Sequence, residues 1–120
     1  MIKFKSLKKN EDFLKLLRKK KLDTKYFTIY FDRNYNKKNT LVKNLNISFV
    51  MKKKIGNAVI RNRIKRKLKS AVQKTINKKR PIDLNCAYII FGKNDVYKDK
   101  FVNVVNEIDN TFKKIKQIGN

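Results

Sequence analysis

The residues of this chain best equipped for chemistry are basic and crowded. In KKIGNAVIRNRIKRKLK, residues 53–69, six cations (Arg61, Arg63, Lys65, Arg66, Lys67 and Lys69) fall within nine positions, behind Lys53 and Lys54 and with no acid among them. The chemistry open to such a set is the holding of a polyanion, because guanidinium forks and ammonium groups donate to phosphate oxygens and neutralise their charge. Bond-making chemistry has few candidates. The chain has no His and a single Cys, which removes the usual imidazole and thiolate arrangements for acid–base and metal work. Glu11 and Asp12 are adjacent carboxylates, but acids in a first helical turn are favoured by the helix dipole, and that explains the pair without catalysis. Cys86, within the apolar run CAYIIF, is expected to be a buried, inert thiol.

Composition supports the same reading. A chain of 120 residues with 41% hydrophobic content can bury a core as one domain, residues 1–120, and three Gly and one Pro leave little room for a flexible linker. The net charge of +24 points to nucleic acid or an anionic surface as partner. Lys and Asn are abundant throughout, so a single Lys says little; Arg is scarce, and three of the six, Arg61, Arg63 and Arg66, lie within six residues. Between Asp32 and Asp83 there is no acid at all. A solvated helix would intersperse acids for i,i+4 pairing, and a membrane-contacting one would carry bulky aromatic anchors. Neither pattern is present, so nucleic acid is the expected partner and no membrane is. The N-terminus lacks an apolar signal region and no apolar run approaches a membrane span, which places the expectation in the cytoplasm.

The elements that must position these residues follow from periodicity. Asn10 caps a helix expected to reach about Lys20, with Phe13, Leu14 and Leu17 on its apolar side. Residues 25–33, KYFTIYFDR, alternate as a strand, with Phe27, Ile29 and Phe31 on one face and Tyr26, Thr28 and Tyr30 on the other. Residues 45–51, LNISFVM, form a second strand, expected to pair antiparallel with the first across a polar loop. Gly56 and Asn57 open a long helix to about Asn77 with the stripe Ile60, Ile64, Leu68, Ala71, Val72 and Ile76. CAYIIFG is apolar on both faces and reads as a central strand, and residues 98–117 form a last helix. Tyr26 and Tyr30, with Phe13, could offer rings to a single strand beside basic side chains; equally, they could complete the packing beneath the first helix. A helix-turn-helix reader of DNA fits the strands and the lone basic helix poorly.

KKIGNAVIRNRIKR, with its Arg61-Asn62-Arg63 centre, resembles the signature of the protein subunit of bacterial ribonuclease P. LKKNEDF, YFTIYF, YIIF and the terminal helix follow in that family's order, so the likeness covers nearly the whole chain. The resemblance implies the small basic partner of a catalytic RNA that removes the 5′ leader of precursor tRNA. It assigns no catalytic residue to the protein, no bound cofactor and no small-molecule substrate; Mg2+ is expected with the RNA subunit. It implies that Lys53, Lys54, Asn57, Arg61, Asn62, Arg63, Lys65, Arg66 and Lys69 contact the catalytic RNA, and that a cleft with Phe13, Leu17, Thr28 and Tyr30 holds the leader. Two positions depart from the family pattern: Leu17 stands where an aromatic is frequent, and Lys52 where Ser is common. The implied fold is a single-domain α+β sandwich, in the order α-β-β-(short β)-α-β-α, with a left-handed β-α-β crossover, which general rules of connection would not suggest. The short strand is expected within residues 34–44 or 52–55. A non-catalytic ribosomal or general RNA-binding protein of similar fold is the alternative.

Overall fold

The strand Ala87–Gly92 organises the molecule. In the computed structural model, which describes residues 2–7, 9–33, 35, 44–78 and 82–118, five of its six residues are buried and the sixth, Phe91, is half-buried. A strand with two apolar faces has to sit inside a sheet covered on both sides. In chain order the elements are β1 (Lys3–Lys5), α1 (Asn10–Leu16), β2 (Lys20–Asp23), β3 (Phe27–Asp32), β4 (Asn44–Val50), a 3-10 turn (Lys53–Ile55), α2 (Ala58–Asn77), β5 (Ala87–Gly92), α3 (Asp95–Lys98) and α4 (Phe101–Ile118). One sheet runs in the order β1-β4-β5-β3-β2. β5 lies parallel to β4, antiparallel to β3, and between the two.

This placement corrects the expected β3–β4 pair. Both strands are where periodicity predicts them, but each pairs with β5 instead. The central position goes to the strand that needs cover on two faces, and a loop's length cannot reveal that. The sheet also has two edge strands that the sequence pattern did not show. β1 adds parallel to β4 and β2 adds antiparallel to β3. Neither lies where a short strand was expected: Lys53–Ile55 is a 3-10 turn, and residues 36–43 lie outside the described residues. The order is α+β, with β4–α2–β5 as the parallel crossover.

The inner face carries the main core. Phe27, Ile29, Phe31, Leu45, Ile47, Tyr88 and Ile90 are buried against Ile64, Leu68, Ala71 and Val72 of α2 and Val104, Ile108, Phe112 and Ile115 of α4. The Tyr88 and Phe112 rings meet edge to face at 5.1 Å, a geometry their quadrupoles favour. Thr75 Oγ1 donates to Asp109 Oδ1 at 2.6 Å where α2 and α4 meet. Arg33 Nη1 donates to the carbonyls of Ile115 and Lys116 at 3.0 and 3.2 Å, which satisfies the end of α4.

The outer face is covered over only part of its area. α1 lies across it with Leu16 buried against Ala87 and Ile89, a burial that contributes roughly 1.5–3 kcal/mol. The helix ends at Leu16 rather than near Lys20, because Lys20–Asp23 leave it to extend the sheet. Its N-cap position is Lys9, without a side-chain cap bond, and Asn10 is already helical. Tyr26 is a further correction. It precedes β3, is buried in the inner core, and its hydroxyl donates to Asp99 Oδ2 at 2.6 Å, so it is not on the Tyr30 face. Cys86 is buried and free, as expected, and burial pushes its thiol up to about 12.

Candidate nucleic-acid interface

The basic helix is built to keep one side dry and the other charged. Asn57 Oδ1 accepts from the Ile60 N–H at 3.0 Å and so caps the first turn. Gly56 precedes it at φ 157°, where a Cβ would come within 3.2 Å of Ile60 Cδ1. Ile64, Leu68, Ala71 and Val72 then anchor the helix to the core. Of the residues assigned to this surface by sequence, Lys53, Lys54, Asn57, Asn62, Arg63, Lys65, Arg66 and Lys69 are exposed and Arg61 is half-buried. Two ion pairs form among the described residues, Lys25–Asp99 and Lys93–Asp23, and neither uses a cation of α2. Among the described residues, therefore, no salt bridge neutralises the positive field of the helix.

The cations of α2 are not equivalent. Arg61, Asn62 and Lys65 line a hollow of about 260 Å³ beside Phe49 and Met51. Arg61 Nε is buried there without a hydrogen-bond partner. A buried donor left unpaired is costly, so this guanidinium carries a desolvation penalty in the free protein. Arg63 and Lys67 turn the other way. Arg63 Nη1 lies 3.4 Å from the Tyr97 hydroxyl, and Lys67 Nζ donates to the Asp99 carbonyl oxygen. Asp99 is in turn fixed by Tyr26 and Lys25, which hold its carboxyl below the usual range.

The second surface is the uncovered part of the outer sheet face. Phe13 and Leu17 of α1 and its C-cap pack beside Tyr30, Val50 and Phe91 around the Leu16 cluster. The Tyr30 and Phe91 rings meet at 5.6 Å and 74°. Lys21 Nζ is 5.9 Å from the Tyr30 ring centre, and Lys52 Nζ is 5.6 Å from that of Phe91. Thr28 Oγ1 donates to Asp23 Oδ1 at 2.6 Å, and Lys93 Nζ donates to the same oxygen at 2.7 Å. The Lys93 bond, then the Thr28 bond, hold the Asp23 carboxyl below its ordinary value. These are half-buried rings flanked by ammonium groups, an arrangement that suits bases stacked along a negatively charged backbone.

A cavity of about 320 Å³ joins the two surfaces. Thr28 and Phe91 come to it from the sheet, Lys52, Lys54 and Ile55 from the approach to α2, and Lys93 from the strand end. The four residues assigned to the cleft by resemblance thus share one face, and Lys54 of the helix set reaches its edge. Sequence reasoning missed Phe91, Lys21 and Lys93. Phe91 was reachable in principle: it is two residues from Ile89, and once β5 is known to pair with β3, it falls opposite Thr28. Among the described residues, no group of three or more His, Cys, Asp or Glu lies together as metal ligands would. No described helix is long and apolar enough to cross a membrane.

Comparison with known proteins agrees with this architecture. The family model described as Ribonuclease P matches residues 1–116. The ribonuclease P protein component of Bacillus velezensis is 33% identical over 109 residues, covering 90% of this chain and 86% of the relative. That of Macrococcus caseolyticus is 30% identical over 123 residues, covering 94% and 88%. Among solved structures, the ribonuclease P protein of Thermotoga maritima superposes with a TM-score of 0.71 at 23% identity, over 92% of this chain and 96% of that one. The Staphylococcus aureus protein gives 0.64 at 22% identity, over 96% and 97%. The chain belongs to the ribonuclease P family, as a protein component of that RNA-based endoribonuclease.

Proposed function

We propose that this chain grips two RNAs at once: the catalytic RNA of ribonuclease P through α2, and the single-stranded 5′ leader of precursor tRNA through the outer sheet face. The observation that carries the proposal is the cavity where Thr28 and Phe91 meet Lys52 and Lys54. It makes the ring-bearing face and the approach to the basic helix one continuous surface, so a strand on the first lies next to an RNA on the second. On α2, Arg61, Asn62 and Lys65 form the inner contact, with Lys53, Lys54, Asn57, Arg63, Arg66 and Lys69 around them. On the sheet, Phe13, Leu17, Thr28 and Tyr30 carry the leader, and Phe91 supplies a ring beside the aliphatic Leu17.

In this arrangement the protein contributes binding and orientation. Placing the leader fixes the scissile bond relative to the RNA, an effect of positioning rather than of proton transfer. Magnesium belongs with the RNA in this reading, and no step is assigned to an ion held by the protein, whose carboxylates are dispersed. The test compares precursor with mature tRNA. A ring stacked on a base contributes roughly 1–3 kcal/mol, so Tyr30→Ala is expected to weaken precursor binding by about 5- to 150-fold and leave mature tRNA unchanged. Equal losses for both, in a variant that still folds and assembles, would remove the outer face from leader binding.

A further inference from the structure

A separate cavity, of about 620 Å³, opens beyond the end of β3, and Arg18, Lys19, Lys20 and Arg33 line it together with Asp32 and Asp83. We propose that this cavity is a phosphodiester site, which takes the upstream continuation of the single strand after it leaves the ring-bearing face. The proposal rests on the leader reading given above.

Arginine usage is the first support. Of the six arginines, three are on α2, and two of the remaining three, Arg18 and Arg33, line this one cavity. A chain that meets its general need for charge with Lys places its few guanidinium groups where a planar, multi-donor contact is useful. Arg33 is also held in place, because Nη1 is committed to the two carbonyls at the end of α4. Arg18 and Lys19 are exposed at the corner between α1 and β2.

Continuity is the second. Lys20 pairs with Phe31 and the next residue, Lys21, with Tyr30. Side chains alternate across β2, so Lys20 shares the face of Phe31 and Lys21 that of Tyr30, and only the open edge of β2 separates the cavity wall from the ammonium over the Tyr30 ring. A strand crossing the β2 edge meets the cavity next. The carboxylates select the ligand. Four cations against two acids leave an excess of two, which suits the single charges of successive diester phosphates and disfavours a compact polyanion such as a triphosphate. Asp83 is partly occupied already, with Oδ1 accepting from the Asn85 N–H at 2.9 Å.

The experiment uses the reconstituted enzyme and precursor tRNAs whose leaders range from a few nucleotides to lengths that pass the β2 edge. The double variant Arg18→Ala/Lys19→Ala is expected to lose about 2- to 30-fold in affinity for long leaders, as two exposed ionic contacts allow. Its log–log salt slope should fall by about 0.7 per lost phosphate. Short leaders and mature tRNA should bind as before. A loss that is the same for long, short and absent leaders would assign these cations to the catalytic RNA or the tRNA body and overturn the proposal; no loss anywhere would overturn it as well. Tyr30→Ala is measured alongside. If it separates precursor from mature tRNA while the double variant shows no length dependence, the cavity proposal alone falls. If Tyr30→Ala makes no such distinction, the leader reading falls and takes the cavity with it.

Discussion

Replacing Arg61 by Met should stabilise the free protein and weaken the complex. In the free protein Arg61 Nε is buried without a partner, beside the apolar side chains of Phe49 and Met51. An unsatisfied buried donor costs roughly 1–3 kcal/mol. Met keeps the unbranched stem, removes the donor and takes one charge from a molecule of +24. A net gain of about 1 kcal/mol, worth roughly 4 °C for a chain of this size, is expected in thermal unfolding followed by circular dichroism. Binding should move the opposite way. A hydrogen bond to a charged acceptor contributes about 1.5–3 kcal/mol, so affinity for the catalytic RNA should fall by about 10- to 150-fold. The log–log salt slope should drop by roughly 0.7–0.9. Arg61→Lys separates charge from geometry: it should keep the slope but recover only part of the affinity, because an ammonium has no fork. A lower melting temperature together with unchanged RNA affinity would refute the reasoning and make Arg61 a packing residue.

Two further outcomes follow from charge and titration. At low ionic strength, sulfate or phosphate should raise the melting temperature by several degrees more than chloride at equal ionic strength, because polyvalent anions relieve the self-repulsion of the acid-free half; equal effects of all three salts would reduce this to screening. The Tyr26–Asp99 bond should make stability fade at both extremes of pH. Tyr26, its hydroxyl donating to the carboxylate, is pushed up to about 12, so its contribution is complete below its ordinary value of 10.0 and lost as pH rises through about 12. Asp99 is held low, first by that bond and then by Lys25. Its contribution is complete above its ordinary 3.8 and lost as pH falls through a still lower value. The stability difference between parent and Tyr26→Phe should therefore be flat between about pH 5 and 9 and shrink outside it; a difference that does not change with pH would show that the hydroxyl does not interact with the carboxylate.

The sequence by itself determined whatever is written in short-range pattern. The stripe of α2, its Asn57 cap and the run of cations opposite need only a period of 3.6 and a list of residue types. The two-sided apolarity of residues 87–91 already required a central strand. The alternation of Phe27, Ile29 and Phe31 identified the inner face. The Arg61-Asn62-Arg63 signature was legible for the same reason, as were Thr28 and Tyr30 on the face opposite the core. Only the tertiary structure decided the rest. The edge strands Lys3–Lys5 and Lys20–Asp23 are short and mostly exposed, so burial writes no alternation into them. Tyr26 has the parity of Tyr30 in the sequence, yet the chain has not entered the strand at that point, and its ring turns into the core. Phe91 joins Tyr30 because β5 inserts between β3 and β4, and the β3–β5 pairing joins residues 55 to 65 positions apart. Arg61 and Lys67 carry like charges on one helix, but their neighbours differ: one guanidinium nitrogen is buried without a partner beside β4, while the ammonium is tied to the turn before α4. Periodicity reports which side of an element is apolar. What a polar group meets on the other side depends on elements distant in the chain, and there the fold alone supplies the answer.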